Sequence, residues 1–168
     1  HIRCEASTDA AAVRRVHEDA FGQSLEADLV ESLREQHLMT VSLVAEVDGA
    51  VVGHVVLSHL DVIAAGRSVS AAALGPVAVD SRLQNQGIGS RLIREAMEQA
   101  RGKGIAVVLV LGHPGYYPRF GFSAERARDL ASPYSSHGEA WMAAELIPGA
   151  LPPSAGTVAY PAPWAMFD

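Results

Sequence analysis

Cysteine is almost absent from this sequence, which has Cys4 alone among 168 residues. A single cysteine excludes an intramolecular disulfide and a metal cluster built on cysteines. It also agrees with a reducing, cytoplasmic location. The seven histidines are scattered singly, and none forms an HxxxH pair on a predicted helix. We therefore expect no metal site.

Long apolar runs and an excess of positive charge are missing as well. No stretch approaches the ~18 apolar residues that a membrane-spanning helix needs, and we expect no signal peptide. The net charge of −6 disfavours a broad surface for nucleic acid or anionic membranes, and mildly favours cationic substrates such as amines. With 49% hydrophobic and 19% charged residues, the chain is predicted to form one globular domain over residues 1–168.

Hydrophobic periodicity predicts strands and helices mixed along the chain. The predicted strands cover residues 2–6, 41–47, 51–59, 69–79, 105–111 and 139–146, with an edge strand near Val158. Predicted helices run from the cluster at 7–9 to about Ala20, from Ser24 onward, from about Gly87 to Arg101, and near 115–120. Asp48-Gly49 predicts a tight hairpin turn. Residues 148–168 hold five of the nine prolines, so we expect this segment to wrap over the surface.

The junction between the strand at 69–79 and the following helix carries the strongest signal. A polar loop, Gln84-Asn85-Gln86, leads to Gly87-Ile88-Gly89-Ser90. Glycines let backbone N–H groups approach a ligand closely, and a helix start attracts phosphate. The dinucleotide fingerprint needs a third glycine where Leu92 stands, and a P-loop needs Gly-Lys-Ser/Thr. Neither motif matches this sequence. A plain strand-to-helix turn is the alternative explanation of the two glycines.

The same strand contains Gly75-Pro76 inside an apolar run. Proline removes a ladder donor, so the strand is predicted to be irregular there. A bulge would splay it from the strand at 105–111 and leave backbone groups free beside the phosphate loop. Such a slot suits an extended ligand that ends in a pyrophosphate.

Gln84-x-x-Gly87-x-Gly89, after a Gly-Pro-Val-Ala-Val strand, resembles the acetyl-CoA motif of the GCN5-related N-acetyltransferases (GNAT superfamily). The run from Leu111 to Phe122 resembles the Tyr-x-x-x-Gly-Phe element of that family. Together with Tyr160-Pro161, these details look like a poorly characterised bacterial subgroup. The resemblance implies a mixed α/β fold with a mostly antiparallel sheet of six or seven strands, about four helices, and a cleft where the fourth and fifth strands splay.

The resemblance implies direct acetyl transfer from acetyl-CoA to an amine of a small molecule or peptide, in a ternary complex. Backbone amides from Asn85 to Ser90, with Gln84, are then expected to hold the pyrophosphate. The backbone of Val77, Ala78 and Val79 is expected to pair with the pantetheine arm. Asn85 stands where glycine is common in the family, and asparagine tolerates a left-handed backbone better than most residues.

Tyr117 matches the family's tyrosine acid, four residues before Gly121, with Tyr116 as the competing candidate. The general base is open among His113, His59, Asp61 and Glu139; His113 is favoured because it precedes the tyrosine helix. Phe21 and Tyr134, in segments that shape the acceptor site in this family, are candidate substrate contacts. A non-catalytic acyl-CoA sensor and a nucleotide-phosphate module are the alternatives. The protein is expected to be a monomer or homodimer.

Overall fold

The computed structural model describes residues 1–152 and 155–167 and is a mixed α/β structure. Its strands, in chain order, are β1 (Ile2–Cys4), β2 (Met39–Val47), β3 (Ala50–Ala64), β4 (Arg67–Val79), β5 (Val107–Leu111), β6 (Leu130–Ala131), β7 (Trp141–Glu145) and β8 (Gly156–Ala159). The α-helices are α1 (Ala10–Phe21), α2 (Leu25–Glu35), α3 (Ile88–Gly102) and α4 (Ala124–Ala127). Short 3₁₀ helices cover Ser7–Asp9, Ser81–Leu83, Tyr117–Phe120, Ser135–Ala140 and Ala162–Phe167.

The strands form one mostly antiparallel sheet in the order β1-β2-β3-β4-β5-β7, and β8 pairs with both β3 and β6. The β4–β5 and β6–β8 pairs are parallel. The mixed sheet and the four α-helices confirm the predicted fold class. The described part of the chain has eight strands rather than six or seven, because the two-residue strand β6 carries no apolar pattern of its own.

The chain divides into two compact units, and β3 and β4 each contribute to both. The first unit contains residues 1–58 and 75–99. In it β1 pairs with β2, and β2 pairs with the first half of β3, both antiparallel. Val13 of α1 and Val30 of α2 pack on Val44 and Val56 of the sheet. The apolar stripes of α1 and α2 thus cover one face of this part of the sheet.

The second unit contains residues 59–74 and 100–168. Ala71 to Leu74 of β4 pair in parallel with Val107 to Val110 of β5, and β5 pairs antiparallel with β7. Strand β5 is buried except at its last residue, as its unbroken apolar run predicts. The core of this unit includes Leu109, Trp141 and Val158. The predicted strand near Val158 is confirmed by β8. The prediction that it is an edge strand is wrong, because β8 pairs with β3 and also with β6.

Two hairpin turns organise the strands. The predicted Asp48-Gly49 turn is confirmed, with φ of 50° and 79°, the left-handed values that a type I′ turn requires. A second turn of the same kind, at Ala65 (φ 53°) and Gly66 (φ 72°), joins β3 to β4. The prediction that β3 ends at His59 is therefore wrong, because burial continues to alternate along the strand as far as Ala64.

Candidate active site

The loop from Gln84 to Gly87 is exposed and leads directly into α3. Asn85 has φ of 63° and Gly87 has φ of 87°, so both residues adopt the left-handed conformation. Asn85 therefore adopts the left-handed conformation that asparagine tolerates better than most residues. The Arg91 N–H donates to the Gly87 carbonyl at 3.1 Å, which closes the first turn of the helix. Amide groups of a first helical turn have no acceptor inside the helix and point to the helix start.

The polar side chains around this loop bond within the protein and fix the shape of the loop. Gln84 Nε2 donates to the Val79 carbonyl at 3.0 Å, across the ends of the loop. Asp19 at the end of α1 accepts from the Ser81 backbone N–H at 2.7 Å and from its hydroxyl at 3.1 Å. Asp80 accepts from the Arg82 backbone and side chain. Hydrogen bonds to β4 and to α1 therefore fix the position of the loop.

The end of β4 that precedes the loop is continuous with Gly75-Pro76, whose peptide bond is cis. The parallel pairs with β5 run from Ala71–Val107 to Leu74–Val110, so the pairing reaches the residue before Gly75. Beyond it, Val77 and Val79 are half-buried and Ala78 is buried. These are the residues predicted to pair with a pantetheine arm.

Tyr117 lies in the turn after β5, and its ring packs directly on the backbone of Gly112. A Cβ placed on Gly112 would be only 2.3 Å from Cε2 of Tyr117, so only glycine leaves room for the ring. The Tyr117 N–H donates to the His113 carbonyl at 3.2 Å, and the ring meets Phe122 edge-on at 5.9 Å between centroids. Burial, with a smaller effect of Tyr116, raises the pKa of the Tyr117 hydroxyl to about 12. The phenol therefore stays protonated at neutral pH.

The residues predicted as candidate bases differ in their surroundings. His113 is exposed, and its backbone carbonyl accepts the N–H groups of the tyrosine turn. His59 Nε2 bonds Asp61 Oδ1 at 2.9 Å, with both side chains more than half exposed. Glu139 is exposed in the 3₁₀ helix Ser135–Ala140. Two of the four candidates thus pair with each other at the surface.

Phe21 and Tyr134, the predicted substrate contacts, are placed very differently. Phe21 ends α1 and is 41% exposed, with its ring parallel to that of His17. Tyr134 is 6% exposed, and its hydroxyl donates to the Trp164 carbonyl at 3.3 Å. Its ring meets Tyr160 edge-on at 4.8 Å. Tyr134 is part of the core of its unit, whereas Phe21 is open to solvent.

A buried polar chain that the sequence did not reveal runs beneath α1. It connects Glu5 to Ser42, Ser42 to His54, and His54 to His17 through hydrogen bonds. His17 and His54 are both fully buried. His17 shares the predicted apolar face of α1, and His54 lies within the predicted strand at 51–59; both look structural when taken singly.

Comparisons with known proteins agree on one family. Residues 1–124 match the acetyltransferase (GNAT) domain model. The uncharacterised N-acetyltransferase YhbS of Escherichia coli K12 is 34% identical over 160 residues, 95% of each chain.

Two solved structures extend this likeness. The structure of Escherichia coli YhbS in complex with CoA has a TM-score of 0.91 at 32% identity, covering 100% of this chain and 93% of that one. A GNAT acetyltransferase from Brucella melitensis in complex with acetyl-CoA has a TM-score of 0.78 at 38% identity, covering 100% and 97%. Within the described residues, no helix is long and apolar enough to cross a membrane. The chain belongs to the GNAT family of acetyltransferases and is an acyltransferase.

Proposed function

We propose that this protein transfers an acetyl group from acetyl-CoA directly to the amine of a small molecule or peptide within a ternary complex. The observation that carries the proposal is the left-handed loop at Asn85 and Gly87, between the end of β4 and the start of α3. A loop of this kind presents backbone N–H groups to a pyrophosphate. The relatives whose structures hold CoA or acetyl-CoA support this choice of donor.

The donor half of the reaction uses main-chain groups. Amides from Asn85 to Ser90 hold the pyrophosphate, and Gln84 shapes the loop through its bond to Val79. The main chain of Val77 to Val79 pairs with the pantetheine amides in the manner of an added strand. An N–H of that stretch donates to the thioester oxygen, which gains negative charge as the amine attacks.

Tyr117 supplies the proton that the leaving thiolate needs. Its hydroxyl is protonated at neutral pH because burial raises its pKa to about 12. Desolvation also raises the pKa of a thiol that leaves in a buried environment. The pKa values of the Tyr117 hydroxyl and of the leaving thiol therefore lie closer together. Gly112 and Phe122 hold the ring in one place, as an acid catalyst requires.

The acceptor is an amine, and Phe21 is its first contact with the protein. The ring is large, apolar and 41% exposed at the end of α1. An aromatic face attracts a cation when the cation lies within about 6 Å of its centroid. Tyr134 would reach a ligand only through a rearrangement of the Tyr160 and Trp164 contacts.

Isothermal titration with acetyl-CoA tests the donor assignment, and we expect saturable binding at micromolar concentration. No heat at high micromolar acetyl-CoA would refute it. An acyl-CoA sensor on the same fold is the second candidate, because β4 carries no carboxylate or histidine. The sensor predicts binding without thiol release across a panel of polyamines, amino acids, aminoglycosides and peptides.

A further inference from the structure

A carboxylate of α1 holds the segment that leads into the phosphate loop, residues 84–90. Asp19 Oδ2 accepts from the Ser81 backbone N–H at 2.7 Å, and Asp19 Oδ1 accepts from the Ser81 hydroxyl at 3.1 Å. Both oxygens of this exposed side chain are thus bonded to one residue. Because 62 positions of the sequence separate the two residues, only the tertiary fold brings them together.

The segment that Asp19 holds is closed on itself by further hydrogen bonds. Ser81 begins a 3₁₀ helix that ends at Leu83, and the next residue, Gln84, is the first of the phosphate loop. The Leu83 N–H donates to the Asp80 carbonyl at 2.8 Å, and Gln84 Nε2 donates to the Val79 carbonyl at 3.0 Å. A bond that fixes the start of this segment therefore also fixes the point from which the phosphate loop begins.

The C-terminal half of α1 is fixed on its inner side as well. His17 Nε2 lies 2.8 Å from His54 Nδ1 of β3, and both rings are fully buried. Two residues before His54, the Val52 carbonyl accepts from the Asp80 N–H at 2.8 Å. Because Asp80 directly precedes the residue that the carboxylate holds, a closed ring of bonds runs from β3 to α1, from α1 to the loop segment, and back to β3.

The charge of Asp19 and its hydrogen bonds have opposite effects on a pyrophosphate ligand. A carboxylate repels a pyrophosphate, so a direct effect of Asp19 on the ligand would weaken binding. Its bonds to Ser81 strengthen binding, because a loop that is already held in its binding conformation loses less conformational freedom when the ligand binds. The sign of the change in affinity when the carboxylate is removed therefore tells the two effects apart.

We propose that Asp19 is a positioning residue for acetyl-CoA, which acts through Ser81 to hold the phosphate loop in the conformation that accepts the pyrophosphate. The proposal rests on the proposed acetyl transfer, in which this loop binds the donor. The contribution of Asp19 is to the affinity for acetyl-CoA rather than to the rate of transfer. It is confined to donors that carry a pyrophosphate, since that is the group the loop holds.

The first test replaces Asp19 by alanine and measures acetyl-CoA binding by isothermal titration, together with kcat and Tm. We expect the Kd for acetyl-CoA to rise about tenfold, as the loss of a hydrogen-bonded carboxylate predicts, while kcat at saturating acetyl-CoA stays near the wild-type value. Unchanged or tighter binding in D19A would overturn the proposal. Failure of the wild-type protein to bind acetyl-CoA would instead overturn the proposed function, so the two failures are distinguishable.

Two further variants separate the hydrogen bonds from the charge. Glu18 is the neighbour of Asp19 and carries the same charge, but its carboxylate bonds Arg14 at 2.8 Å rather than the loop segment. Glu18→Ala should therefore bind acetyl-CoA like the wild type, and a loss as large as that in D19A would overturn the proposal. Asp19→Asn loses the charge but keeps an oxygen that can accept from the Ser81 N–H, so we expect it to recover most of the affinity.

A donor without the pyrophosphate separates loop positioning from general damage to the protein. S-acetylpantetheine carries the thioester and the pantetheine amides of acetyl-CoA but neither its pyrophosphate nor its nucleotide. We expect D19A to lower kcat/KM about tenfold with acetyl-CoA and to leave kcat/KM with S-acetylpantetheine nearly unchanged. Equal losses with both donors would overturn the proposal, because the carboxylate would then support the whole site rather than the phosphate loop.

The backbone amide of Ser81 gives a readout that needs neither ligand nor turnover. A short hydrogen bond to a carboxylate is a strong one, so the Ser81 amide proton should resonate downfield in the NMR spectrum of the free wild-type protein. It should move upfield in D19A and stay in place in E18A. The same resonance position in D19A and in the wild type would overturn the proposal, because the bond that holds the loop would then be absent in solution.

Discussion

Gly112 is the position where a single added methyl group should slow catalysis without weakening cofactor binding. An alanine Cβ there would lie 2.3 Å from Cε2 and 2.7 Å from Cδ2 of the Tyr117 ring, whereas ordinary contact begins at 3.4 Å. The ring must therefore move by about 1 Å. A displacement of that size at a reacting group costs about 100-fold in rate, and the crowding itself costs about 1–3 kcal/mol of stability.

The assay for Gly112→Ala measures thiol release under saturating acetyl-CoA, together with acetyl-CoA affinity by titration and Tm. We expect kcat to fall about 100-fold, Tm to fall by roughly 2–12 °C, and the affinity to stay unchanged, because the phosphate loop lies elsewhere in the chain.

Gly115 provides the matched control three residues away. A Cβ on Gly115 meets nothing within 4 Å, so Gly115→Ala should keep wild-type kcat and Tm. Wild-type turnover in G112A would refute the assignment of Tyr117 as the acid. A loss in G115A as large as that in G112A would show that the whole turn, rather than the ring position, is sensitive.

The remaining predictions concern the acid, the loop and the response to pH. Tyr117→Phe should lower kcat by about 100-fold and leave acetyl-CoA affinity nearly unchanged; unchanged turnover would remove Tyr117 from the acid role. Gly87→Ala should weaken acetyl-CoA binding about tenfold, since φ of 87° costs alanine about 1–2 kcal/mol. Gly102→Ala, with open space and no left-handed φ, should bind like the wild type. Urea unfolding should show stability falling as pH drops from 6.5 towards 3, because burial holds the pKa of His17 at about 3 in the folded state against 6.5 when unfolded. Below pH 4.5 the stabilising contribution of Glu5, whose folded pKa is about 2, is lost as well. A pH-independent unfolding free energy over this range would contradict both assignments.

Local chemistry explains which parts of the fold could be predicted from the sequence. Asp-Gly specifies a type I′ turn within two residues, and the turn is where it was expected. Asn85 carries its left-handed preference in its own side chain. The Ala65-Gly66 turn is not predicted by the sequence, because alanine has no preference for a left-handed backbone. The alternation of polar and apolar residues on either side of it does predict strands.

The buried polar chain could not be predicted from the sequence, because its members meet only through the tertiary fold. His17 and His54 are 37 residues apart, and Glu5 reaches Ser42 across the same separation. Each histidine taken alone fits a structural position on an apolar face. They form one hydrogen-bonded chain only when β2, β3 and α1 bring them together with Glu5.

The most direct test of the central claim is amine-dependent release of free thiol from acetyl-CoA, with the acetylated amine identified by mass spectrometry. We expect at least one amine of the panel to give acetylated product in an amount equal to the thiol released, and Y117F to slow both together. Saturable acetyl-CoA binding with no acetylated product from any amine would contradict it, and would favour the sensor instead.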